Sequence, residues 1–255
     1  AIPALRPTER DLAFAKAQEV LHRNGITAVA DMGTTIEDWQ TFRRAGDKDA
    51  LTLRIMAYAA GPDEMELIAG ARPTPWLYDD KLRMNGIKIY LDGALGSRGA
   101  WLKQPYADDP GNTGLPLTGP AKLRNILVRA AQGNFQPAIH AIGTAANADA
   151  LAAIAELSES FPGDRRWRIE HAQIIDPADL SGFGQNGVIA SMQPVHQTSD
   201  RSMAEARLGP DRQHHQCGGE GPDTGTGTLQ YGAIRSDGVC GWGVTAGRGQ
   251  WCHYQ

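Results

Sequence analysis

Residues 86–101, GIKIYLDGALGSRGAW, run from a short strand pattern into a glycine-punctuated loop, and the rest of the chain reads outward from them. Alternate residues of a strand face opposite sides. Gly86, Lys88, Tyr90 and Asp92 therefore share one face of this strand, and Ile87, Ile89 and Leu91 the other. A lysine placed mid-strand can be an edge residue whose stem lies on apolar surface while its head reaches water. Two later strand-like runs end in histidines, and that shifts the reading toward a site.

The chain has 255 residues, close to the usual size of a single barrel of eight strand-helix units. Its net charge of -4 and lack of a long Lys or Arg run give no footprint for nucleic acid or an anionic membrane surface. No stretch approaches the roughly 18–20 apolar residues of a membrane span. The expected partner is a small-molecule substrate. The opening AIPALRPTER does not read as a signal peptide, and the chain does not begin with Met. A cytoplasmic location is expected, with an upstream segment, including a secretory signal, left open. All three cysteines, Cys217, Cys240 and Cys252, fall in the last stretch, so the core needs no disulfide and fits a reducing compartment.

Taken in order, helical and strand periods alternate. Thr8 to Asn24 predicts a helix, closed by Gly25. Strand 26–33, helix 36–45, strand 51–59 and helix 62–71 follow, then the Lys88 strand and a long loop. Beyond it come helix 121–132, strand 136–143, helix 145–160, strand 167–173, a short helix 176–183 and strand 187–195. Helix then strand, repeated, calls for right-handed crossovers between parallel strands. Six strand units are expected. No Gly-x-Gly-x-x-Gly turn follows the first strand, which counts against an open dinucleotide-binding sheet. In a barrel, functional groups sit at the C-terminal ends of several strands. Asp31, Lys88 with Asp92, His140, His171, and Gln193 with His196 fall at such places, so the barrel is the better reading.

His140 in AIHAIG and His171 in IEHAQ both come late in their strands. Neutral imidazoles are the commonest ligands of zinc and similar ions, which lower the pKa of bound water toward about 7. Either histidine alone could equally be a buried hydrogen-bonded residue or a general base; taken with Lys88, the pair points to a metal. Glu170 should face away from His171 and pair with Arg168 or Arg166. The loop from Gly99 to Pro120 is long enough to be a lid or substrate loop. Trp101 and Tyr106 either line the substrate pocket or pin the loop to the rim. Arg98 and Gln193 complete the candidate substrate-binding set.

The segments GITAVADMG, NGIKIYLDGALGSRGAWL, AIHAIG and RIEHAQ, in this order, resemble the amidohydrolase superfamily, in its family 3 branch, over about Ala4 to Arg212. The resemblance implies an α/β fold, a partial TIM-like (β/α)8 barrel of the metal-dependent hydrolase type with about six strand-helix units present. It implies one or two divalent metal ions, zinc in the first instance. It also implies hydrolysis of a non-peptide carbon–nitrogen bond, in an amide, formamide or cyclic amide, by metal-activated water. His140 and His171 then match metal ligands on the fifth and sixth strands. Lys88 matches a fourth-strand position that in many relatives is a carboxylated lysine bridging two metals. Lys88 and Asp92 are the catalytic candidates.

The sequence also departs from the pattern. No His-x-His pair precedes Ile26, so the chain reads as beginning inside the barrel. No Gly-Ser-Asp-x-Pro marks an eighth strand; Asp237, in IRSDG, is the candidate counterpart, although no strand pattern surrounds it. From Gln213 the chain abandons periodicity and becomes glycine-rich. The preferred reading divides it into an incomplete barrel, 1–212, and a frameshifted or disordered tail, 213–255. His214, His215 and Cys217 form another metal-cluster candidate, without a second pair to support it. The competing readings are an inactive fragment of such a hydrolase and a metal-free barrel enzyme in which Lys88 forms a Schiff base. A homodimer is the default assembly.

Overall fold

The computed structural model describes residues 5–193, 195–210 and 212, together with 232–234 and 240–242. The glycine-rich stretch from Gln213, with Asp237, His214, His215 and Cys217, lies outside the described residues apart from two short antiparallel strands, β7 (Gly232–Ile234) and β8 (Cys240–Trp242). Two compact units make up the chain, one of Ala1–Lys88 with Arg129–Pro137, the other of Ile89–Val128 with the chain from Ala138.

The first unit runs α1 (Pro7–Arg23), β1 (Ala28–Thr34), α2 (Ile36–Gly46), β2 (Arg54–Ala59), α3 (Pro62–Ala69) and most of β3 (Leu82–Tyr90). Pro at the first helical position starts α1 and α3, where its missing N–H costs nothing. A reciprocal Thr35–Asp38 capping box starts α2. β1 pairs in parallel with β2, and β2 with β3, with a register shift between Ala57 and Tyr58. Leu53, Ile55, Ala57, Leu82, Met84 and Ile87 fill the core. Gln18 of α1 is buried, donating to the Ala50 carbonyl at 3.0 Å and accepting from the Thr52 N–H at 2.8 Å, so one amide pins the helix to the entry of β2. Gly86 is demanded by crowding: a Cβ there would lie 2.0 Å from the Gln136 carbonyl oxygen.

The second unit begins with the end of β3 and its long loop. It continues through α4 (Pro120–Gly133) and β4 (Gln136–Ala141), both of which also give residues to the first unit, and α5 (Thr144–Ser158). Then come β5 (Arg168–His171), a 3-10 turn at Pro177–Asp179, α6 (Ser181–Gln185), β6 (Ile189–Ser191), α7 (Val195–Ser199) and α8 (Arg201–Leu208). β4 pairs in parallel with β5, and β5 with β6. Across the sheet the strand order follows the chain, β1 to β6, as expected of strand-helix units added in one direction.

All six expected strands are present, with shifted ends. β3 starts at Leu82, and both of its faces are buried from Gly86 to Ile89, as in a parallel sheet covered on two sides. β6 stops at Ser191, so Gln193 lies beyond the strand. The expected helix 176–183 is a 3-10 turn followed by a short helix, because Asp176 caps Ala178 and Pro177 starts a separate turn. Among the described residues no helix is long and apolar enough to cross a membrane.

Candidate active site

Asp92 lies two residues past the end of β3 and is 1 % exposed. Its carboxylate accepts three backbone N–H groups, from Trp101 at 2.9 Å, Ile142 at 3.0 Å and Gly143 at 2.8 Å. Those bonds tie the loop after β3 to the end of β4. The approach is so close that a Cβ on Gly143 would lie 2.0 Å from the Trp101 carbonyl oxygen, which explains the glycine. From the other side, the buried Asn147 amide donates to the carbonyls of Ala141, Ile142, Gly143 and Ile174 at 3.0–3.3 Å. The peptide groups beyond His140 are thus held by an acceptor on their N–H side and a donor on their C=O side.

His140 sits one residue before this anchor. Its Nε2 is buried, 3.4 Å from Asp92 Oδ1, and has no aligned hydrogen-bond partner among the described residues. His171, at the end of β5, has its ring centroid 4.6 Å from that of His140, edge to face. Strict alternation does not give this contact. The β4–β5 register sets His140 opposite Glu170 and Ala141 opposite His171, so a regular strand would turn His171 to the other face. The backbone breaks the alternation: φ is +72° at His171 and +42° at Ala172. Left-handed backbone outside glycine costs roughly 1–3 kcal/mol and persists where the surroundings enforce it, commonly at functional sites.

The two rings belong to a row. Tyr90, 44 % exposed at the end of β3, stands 5.5 Å from His140, and His196 of α7 stands 6.2 Å from His171. His171 Nδ1 is 2.7 Å from Gln193 Oε1. His196 is the strand-end candidate the sequence paired with Gln193; Tyr90 is not among the sequence-derived site residues, although it lies two residues from both Lys88 and Asp92 on the chain. Beneath the histidines, Glu170 pairs with Arg168 at 2.7 Å, as the sequence led us to expect, and Arg168 also donates to Ser191 Oγ at 2.8 Å.

Lys88 is 5 % exposed in β3 and belongs to the first unit. Trp101 gives its N–H to Asp92 and its carbonyl to the N–H groups of Ala145 and Ala146, which makes its backbone part of the anchor. Tyr106 is buried; its hydroxyl donates to the Ala100 carbonyl at 2.7 Å, and burial pushes its pKa up to about 12. It pins the loop. Arg98 forks onto Asp108 at 2.9 and 3.1 Å. Gln193 meets His171. In the first unit, burial raises the Asp31 carboxyl above the usual range, although Thr34 Oγ1 donates to it at 2.6 Å.

Among the described residues, no group of three or more His, Cys, Asp and Glu side chains is placed to hold a metal ion. The pair itself suits one as part of a ligand set. His171 Nδ1 meets an amide oxygen, as ligating histidines are usually oriented through their other nitrogen, and His140 Nε2 lies buried beside the Asp92 carboxylate.

Parallel strand-helix units with polar side chains gathered at the strand ends define a class, the TIM-like barrel folds. The comparisons agree. The amidohydrolase family model matches residues 2–235, and the chain belongs to that family, in its family 3 branch. It is 34% identical over 221 residues to Protein LONG AFTER FAR-RED 3 of Arabidopsis thaliana, covering 80% of this chain and 37% of that protein. YtcJ of Bacillus subtilis, an amidohydrolase by name, is 34% identical over 133 residues, 51% of this chain and 24% of that protein. The crystal structure of an uncharacterized metal-dependent hydrolase from Pyrococcus horikoshii superposes with a TM-score of 0.74 at 28% identity, covering 83% of this chain and 42% of that one. The chain therefore spans less than half the length of each of these three proteins.

Proposed function

We propose that this chain carries the histidine pair of a metal-dependent hydrolase acting on a non-peptide carbon–nitrogen bond of a small molecule, an amide, formamide or cyclic amide. The observation that carries the reading is the 4.6 Å juxtaposition of His140 and His171, achieved at the expense of left-handed backbone. His140 and His171 would hold the divalent ion, zinc in this proposal. When bound, such an ion polarises a carbonyl and lowers the pKa of water so that it can attack near neutral pH.

The chain's own residues supply the placement. Asp92 and Asn147 hold the peptide groups that follow His140 and so steady the backbone from which its ring extends. Tyr90, exposed beside His140, offers an aromatic face to a substrate. The catalytic and metal-holding roles of Lys88 rest on the family resemblance, as does the choice of bond. The test is a panel of amides, formamides and cyclic amides offered to protein loaded with zinc, manganese or cobalt. Turnover should stop on chelation and in both His140→Ala and His171→Ala. Turnover that survives chelation and both substitutions would count against the proposal.

A further inference from the structure

Gln193 was expected to touch substrate, yet its amide oxygen lies 2.7 Å from His171 Nδ1. An amide oxygen can only accept, so this bond requires the proton on Nδ1. In a neutral imidazole the lone pair then resides on Nε2. Gln193 is itself held in place. It sits just past the end of β6, and its carbonyl accepts the His196 N–H at 3.1 Å in the first turn of α7. The ring it meets belongs to the last paired residue of β5, where left-handed backbone at His171 and Ala172 departs from the regular strand conformation.

We infer that Gln193 is a positioning residue: it locks His171 in the Nδ1–H tautomer and presents Nε2 as the nitrogen that meets a metal ion. The inference deepens the proposed function and rests on it for the identity of what Nε2 meets. With the amide oxygen facing the ring, the opposite tautomer would set the Nδ1 lone pair against the lone pairs of Oε1 and would need the amide turned over to donate its NH2 instead. Free imidazole side chains in water favour the Nε2–H form, which makes the selection measurable.

The experiment is long-range nitrogen-15 NMR of the imidazoles in the metal-free 255-residue protein, at a pH where they are neutral. The His171 signals are assigned by their loss in His171→Asn. Wild-type protein should show His171 protonated on Nδ1. Gln193→Leu, which removes the acceptor, should show a mixture containing the Nε2–H form, while Gln193→Glu, which keeps an acceptor, should retain Nδ1–H. In a competition titration with zinc, Gln193→Leu should bind roughly 10–100-fold more weakly than wild type, and Gln193→Glu should not lose affinity. Circular dichroism checks that each variant is folded, and if Gln193→Leu is not, the wild-type and Gln193→Glu tautomers still decide.

A wild-type Nε2–H tautomer, or an unchanged tautomer in folded Gln193→Leu, would overturn the inference. If the tautomers behave as expected but neither protein binds zinc, the orienting role of Gln193 stands and the metal reading falls.

Discussion

Two residues, one just past β3 and one at the end of β5, carry the decisive local chemistry. Asp92 is an anchor whose two oxygens serve three peptide N–H groups. His171 reaches His140 only because its backbone leaves the β region. Neither fact is legible in the sequence: period-2 reasoning assumes regular φ and ψ, and a carboxylate's backbone partners are set by tertiary approach. The Glu170–Arg168 pair was legible, since residues two apart share a strand face and a buried charge needs a partner. That pair supports a direct prediction. Glu170→Leu leaves the buried Arg168 without its carboxylate and should cost about 3–5 kcal/mol, whereas the double variant Arg168→Met with Glu170→Leu should recover most of it. Denaturant unfolding of the two variants beside wild type measures both values.

Among the elements, the loop between β3 and α4 is the one whose behaviour the sequence predicted least. Its length suggested a lid, but the structure shows it clasped to α8. Arg207 donates to the Gly96 carbonyl from Nε at 3.1 Å and Nη2 at 3.0 Å, pairs with Asp108 through Nη1, and accepts the Ala107 N–H at its carbonyl. Leu95, Ala100, Leu102 and Tyr106 of the loop pack with Ala204 and Leu208 of α8 in one buried cluster. Arg207→Ala should therefore speed hydrogen exchange of the loop amides several-fold and leave β4 and β5 protected, as expected of a local opening unit. The clasp should also be sensitive to acid. The hydrogen bond from Arg98, then that from Arg207, holds the Asp108 carboxyl below its ordinary value of 3.8. A depressed carboxyl stabilises the folded form above its unfolded pKa and loses that contribution as pH falls through the folded one. Loop exchange, corrected for intrinsic rates, should stay flat from neutral pH down to about 4 and rise only below it. Helix and strand identities, by contrast, were readable from α1 to β5, whereas α7 and α8 were not among the expected elements. Helix starts at Pro7, Pro62 and Thr35 follow local rules, while the strand ends shifted because pairing partners, not propensity, decide where a parallel strand stops.

At the scale of the molecule, strand order and family membership agree with what four short motifs implied together. The histidine pair was legible as a pair because two strands of the same sense deliver their last residues to the same end of a sheet. Its orienting partners were not, because Asp92 and Gln193 lie 48 and 22 residues away along the chain. The account stands on His140 and His171 holding a divalent ion. The measurement that meets it most directly is the metal content of the folded chain after equilibration with zinc and removal of free ion, for wild type and for the double variant His140→Ala with His171→Ala. The account predicts near-stoichiometric zinc on wild type and its loss from the double variant with circular dichroism unchanged. A folded wild-type chain that retains no zinc, or a double variant that retains as much, would contradict it.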